Sequence, residues 1–214
     1  MKLRKIIGIF SLIVVLGGTI VGYFMYKDIF SPNTAFQDKE VAVFIPTNAS
    51  YSDVEKILAP YVEDIDKFRS TADKKSYPDN VKYGKFILRK GMNNNDIVNS
   101  LRQPQTVNLS FNNQETLQRA VGRIASQLEP DSIALHKAFT DKTFLEENGF
   151  TEDNVLSVMI PNTYEFYWDT SAEKVREKMA KEYRKFWTDE RKAKAAALNL
   201  TPLQVSALAS IVHK

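Results

Sequence analysis

Hydrophobic and polar positions follow three rhythms along this chain, and each predicts a different kind of element. The first is an uncharged apolar run from Ile6 to Tyr26, "IIGIFSLIVVLGGTIVGYFMY". About 20 helical residues rising roughly 1.5 Å each cover the ~30 Å hydrocarbon core of a bilayer, so the run predicts a membrane span. It is longer than the apolar region of a cleaved signal peptide. It also ends in Tyr23, Phe24 and Tyr26, which suit the membrane interface, so an uncleaved anchor is expected. Lys2, Arg4 and Lys5 precede the run, whereas Lys27 is followed at once by Asp28. The positive-inside rule then predicts a cytoplasmic N-terminus, with the rest of the chain on the outer, periplasmic or extracytoplasmic side. Gly18 and Gly22 are read as ordinary glycines of such a helix rather than as a dimerisation pair.

The second rhythm is strand, turn, helix, stated twice. Residues 28–39 are polar with one proline and predict a linker. "VAVFIP" (Val41 to Pro46) then reads as a β-branched strand, followed by a helix carrying Val54, Ile57 and Leu58, for which Ser52 and Glu55 supply a capping box. The phrase returns in "KFILRKGMNNNDIVNSL", where Asp96, Ile97 and Leu101 repeat the spacing of Asp53, Val54 and Leu58. Three matched positions are weak evidence for an internal repeat, because helices after capped turns resemble one another.

The third rhythm is helical. After "QTVNLSF", whose Val107, Leu109 and Phe111 alternate as in a half-buried strand, apolar residues recur every three or four positions. Leu117, Val121, Ile124 and Leu128 form one stripe and Val175, Met179, Tyr183 and Phe186 another, the second behind a predicted Thr170 and Glu173 capping box. The last helix opens on Thr201 as N-cap, Pro202 and Gln204, and its small and apolar residues predict tight packing on more than one side. The expected fold class is α+β. A cytoplasmic tip and transmembrane anchor (1–27) and the linker (28–39) lead to a strand and helix module (40–104), and a mainly helical domain (105–214) follows.

Composition narrows the chemistry. The 29 basic and 26 acidic residues are spread along the chain, leaving a net charge of +3 and no sustained basic face, so nucleic acid is not an expected partner. The absence of cysteine excludes disulfides, thiolate metal sites, a cysteine nucleophile and a lipidated cysteine. His136 and His213 are the only histidines, too few for a zinc site, and His136 is read as structural or surface. Two segments carry chemical information. "MIPNTYEFYWDTS" (Met159 to Ser171) mixes aromatic faces with hydrogen-bonding groups, which a carbohydrate cleft requires, although a rigid loop whose rings close a core is equally consistent. The other is "LASIVHK", Leu208 to Lys214, where an apolar helix runs to the last residue without Gly, Asn or Pro.

These segments, in this order behind a membrane anchor, resemble the endolytic murein transglycosylases of the MltG (YceG-like) family. The resemblance covers essentially the whole chain, and its specific parts are the "PNTY" loop and the "ASIV" helix. It implies a LysM-like early module followed by a catalytic domain. In the family the pattern "ASIVxKE" ends on the catalytic glutamate, which places that residue just past Lys214, so the chain is expected to stop one residue before its acid and to be inactive alone. The implied reaction is a lyase cleavage of the bond between MurNAc and GlcNAc in peptidoglycan. One carboxylic acid protonates the leaving oxygen and then acts as base on the sugar's own 6-hydroxyl, closing a 1,6-anhydro ring without metal or cofactor. A second carboxylate, as retaining hydrolases use, is not required. By match to the family loop, Asn162, Thr163, Tyr164 and Glu165 would bind substrate across the cleft, with Ser210 about one helical turn before the acid on the same face. The implied partners are peptidoglycan glycan strands, the cytoplasmic membrane and peptidoglycan synthases. The alternative is a non-catalytic, membrane-anchored peptidoglycan-binding or scaffolding module.

Overall fold

The computed structural model describes residues 14–20, 22, 23, 26, 27 and 29–212, which fall into two units, Met1–Gln105 and Thr106–Lys214. Of the predicted span from Ile6 to Tyr26, residues 6–13, 21, 24 and 25 lie outside the described residues. Residues 14–20 are helical and exposed, and no single helix among the described residues is long and apolar enough to cross a membrane.

In the first unit β1 (Glu40–Ile45) pairs antiparallel with β2 (Gly84–Arg89), Val43 opposite Phe86. Alternation turns Val43 and Ile45 of β1, with Phe86 and Leu88 of β2, into the core. Helices α1 (Tyr51–Leu58), α2 (Ile65–Lys74) and α3 (Asn94–Ser100) supply Val54, Leu58, Phe68 and Ile97 to the same core. The two strand and helix phrases do fold alike. Asp53 and Asp96 both stand at the third position of their helices, each backbone N–H donating to the cap residue, Ser50 or Asn93.

Two expectations change here. The cap of α1 is Ser50, not Ser52, and its capping box closes on Asp53, not Glu55. Ser50 and Ser52 each have a carboxylate three residues on; the Asp53 carboxylate returns a bond to the Ser50 N–H at 3.1 Å, while Glu55 is drawn instead to Arg69 at 2.6 Å. Part of the stretch predicted as linker is also tied to the module. Pro32 bridges to Asn93 and Thr34 to Val62, and Asn33 is only 3% exposed.

In the second unit β3 (Thr106–Phe111) pairs antiparallel with β4 (Asn162–Tyr167), Leu109 opposite Tyr164. The chain between them forms α4 (Leu117–Ala125), α5 (Ser132–Phe139), α6 (Lys142–Asn148) and a 3-10 turn at Val155–Val158. Beyond β4 lie α7 (Ala172–Phe186), α8 (Asp189–Ala197) and α9 (Pro202–Val212). Thr116, Asp131, Asp141, Ser171 and Thr188 cap α4 to α8. The cap of α7 is thus Ser171 rather than the predicted Thr170, whose hydroxyl donates instead to the Tyr167 carbonyl at 2.6 Å. Gly149 closes α6 in the left-handed conformation that a β-carbon disfavours, at φ 69°. The predicted stripes bury Val121, Ile124, Val175 and Met179 against Leu109, Tyr164 and Phe166.

The last helix departs from expectation. Thr201 caps it and exchanges bonds with Gln204 as the pattern predicts, but α9 buries no residue. It lies against α8 and the Val155–Val158 turn, with Leu203 half-buried against the core, and Ile211 and Val212 stay more than half exposed.

Candidate functional site

The aromatic segment expected as a loop is a strand. Period-two alternation divides β4 cleanly: Tyr164 and Phe166 are buried in the core, while Thr163, Glu165 and Tyr167 face outward. The register sets Thr106, Asn108 and Ser110 of β3 beside them, so the outer face of the ribbon is polar apart from the Tyr167 ring, which is 52% exposed.

Between the free edge of β4 and the first turns of α7 lies an open groove of about 360 Å³. Thr106, Glu165, Phe166, Tyr167, Thr170, Lys174 and Lys178 line it. The Thr106 hydroxyl donates to Glu165 Oε1 at 3.1 Å, which fixes that carboxylate at one end. At the other end the Lys178 ammonium donates to the Glu165 carbonyl and sits 4.7 Å from the centre of the Phe166 ring. Such a cation over an aromatic face is electrostatically favourable and orients the side chain. Lys174, one turn earlier on α7, is exposed and makes no ion pair among the described residues.

The structure separates the residues expected to bind substrate. Glu165 lines the groove, with Asn162 and Thr163 exposed farther along the same strand. Tyr164 instead belongs to the core: its hydroxyl donates to the Ile160 carbonyl at 2.5 Å, and burial pushes it up to about 12. Ser210 does not line the groove; it is exposed on α9, its hydroxyl donating to the Ala207 carbonyl at 2.7 Å. His213, Lys214 and the glutamate expected after them lie outside the described residues. Sequence reasoning missed Thr106, Tyr167, Thr170, Lys174 and Lys178. The available signal was the pair of lysines four apart on one helix face, behind the aromatic strand.

Hydroxyls, one exposed ring, two ammonium groups and one carboxylate can hold a polyhydroxylated ligand by its edges and by a ring face. The YceG-like family model matches residues 43–214 of the chain. The chain belongs to the YceG-like family. That match takes in β4, α7 and the whole groove. A solved yceG-like protein from Listeria monocytogenes is 22% identical, with a TM-score of 0.43, the match covering 78% of this chain and 61% of that one. The chain therefore spans about three fifths of the length of that YceG-like relative. No protein in the curated comparison matches it.

Proposed function

We propose that the protein is a membrane-anchored, endolytic peptidoglycan lytic transglycosylase, and that the residues here hold the glycan strand for cleavage between MurNAc and GlcNAc. Membership of the YceG-like family over residues 43–214 supports the assignment. The observation that carries it is local. The segment on which the resemblance rests, Pro161 to Ser171, forms one wall of a ligand-sized groove and presents Tyr167 and Glu165 to it. In this proposal the acid is the glutamate that follows Lys214 in the family pattern, and its task is to donate a proton to the leaving oxygen. The anchor at Ile6 to Tyr26 keeps the groove near newly made strands on the outer side of the cytoplasmic membrane, and the LysM-like first unit adds a second hold on glycan.

A second proposal, a binding or scaffolding module that recruits peptidoglycan synthases, has one observation in its favour. The carboxylate in the groove, Glu165, is exposed and bonded to a hydroxyl, not set in the apolar surroundings that a general acid needs. Incubation of this chain, and of a version extended past Lys214, with uncrosslinked glycan strands separates the two. Mass spectrometry should find 1,6-anhydro-MurNAc ends with the extended protein alone; ends from neither protein, with binding retained, would favour the module. Reporter fusions placed after residue 105 should be exported.

A further inference from the structure

The groove holds more positive charge than its own residues neutralise. Lys174 and Lys178 lie four apart on α7 and both line it. Like charges at that spacing on one helix face repel, and an anion placed between them removes the repulsion. The acidic residues of α7 are engaged elsewhere: Glu177 pairs with Arg176, Glu182 with Lys185, and Glu173 takes bonds at its own helix cap. Glu165, the carboxylate that lines the groove, is held by Thr106 and forms no ion pair with either lysine. Lys178 is partly buried and fixed by the Glu165 carbonyl and the Phe166 ring, which uses one of its three N–H groups and leaves two. A volume of about 360 Å³ lies within the range of small-ligand sites.

We propose that this groove reads a carboxylate carried by the glycan, with Lys178 as the fixed cation, Lys174 as the mobile one, and Tyr167 and Thr170 against the adjoining sugar. The assignment rests on the glycan-binding function proposed above and adds what distinguishes one glycan from another. Lysine meets either a carboxylate or a phosphate as a point charge; the carboxylate is chosen because it is the anion that the proposed glycan carries. The carboxylate has two sources in peptidoglycan, the lactyl ether of a muramic residue without peptide and the acidic stem peptide attached to it.

The test is isothermal titration of the whole chain, wild type and as Lys174→Gln and Lys178→Gln, at low ionic strength. Four probes are used: a peptide-free MurNAc and GlcNAc tetramer with free lactyl carboxylates, the same tetramer amidated, the tetramer with stem peptides, and a neutral GlcNAc tetramer. Amidation should weaken wild-type binding about tenfold, and Lys174→Gln should lose about as much on the free acid and nothing further on the amidated tetramer. If only the peptide-bearing tetramer shows this coupling, the carboxylate belongs to the stem. Equal binding of charged and neutral glycans by wild type and both variants would overturn the carboxylate assignment and leave the glycan function standing. Failure of every glycan to bind would overturn both. Lys174 is exposed, so its variant carries the test even where loss of the Lys178 contact with Phe166 disturbs folding.

Discussion

Asn33 and Asn94, 61 residues apart in the chain, meet in the interior of the first unit, the amide of one donating to the side-chain carbonyl of the other at 2.6 Å. Asn33 also donates to the Asp64 carbonyl and accepts from the Asp64 N–H, at 2.8 and 2.9 Å. A residue that reads as spacer thus grips the cap of α2 and the first turn of α3.

Asn33→Ala should therefore destabilise the unit. It takes partners from three buried or half-buried polar groups, and leaving such groups unsatisfied costs about 1–3 kcal/mol. Urea unfolding followed by far-UV circular dichroism will show a lower midpoint. An unchanged midpoint would mean that water replaces Asn33 without penalty.

Acid should weaken α1 in a defined window. The Ser50 hydroxyl and then the Lys56 ammonium hold Asp53 down to about 2. A depressed carboxylate contributes stability that is fully present above its unfolded value near 3.9 and is lost as pH falls through its folded value. Asp53→Asn should flatten that part of the acid profile between about 4 and 2. Thermal melts across the range check it.

Alkali acts on the second unit with the opposite sign. Burial raises Tyr164 to about 12, with the charge of Glu182 adding to the effect, so the neutral phenol is the native form. Its contribution is intact below the unfolded value near 10 and is lost as pH rises through the folded one. Tyr164→Phe should remove this loss and cost roughly 1 kcal/mol at neutral pH through the bond to Ile160. Tryptophan fluorescence reports it, because Trp168 and Trp187 both belong to that unit.

Glu165→Gln separates holding from cutting. In a protein extended past Lys214 the variant should still form anhydro ends, because an exposed carboxylate bonded to Thr106 is a poor general acid. Abolished turnover with folding and glycan binding intact would move the acid to Glu165.

The legible parts of the fold were those where one period dominates. Val121 with Ile124, and Val175 with Met179, are buried where helical spacing puts them. The β4 strand was illegible because aromatic side chains occupy both of its faces: Tyr164 and Phe166 inside and Tyr167 outside hide the alternation. Cap positions slipped wherever two hydroxyl residues compete, as Ser50 with Ser52 and Thr170 with Ser171. The burial of Asn33 depends on a partner 61 residues away, which no local pattern contains. In the groove, Glu165 was named by its match to the family loop. Lys174 and Lys178 become a pair of site residues only where the strand stands beside α7.

The groove draws Thr106 from the opening strand of its unit and Glu165 from a strand 59 residues later. No short segment of the chain contains it, and closing so long a loop is a slow, non-local step. An occupant that binds the groove would recognise only the assembled unit and stabilise it by mass action. At a free concentration one hundred times its dissociation constant, such an occupant adds about 2.7 kcal/mol to the unit's resistance to unfolding. Under the proposed function, a strand of cell wall would be both substrate and part of what keeps the groove in shape.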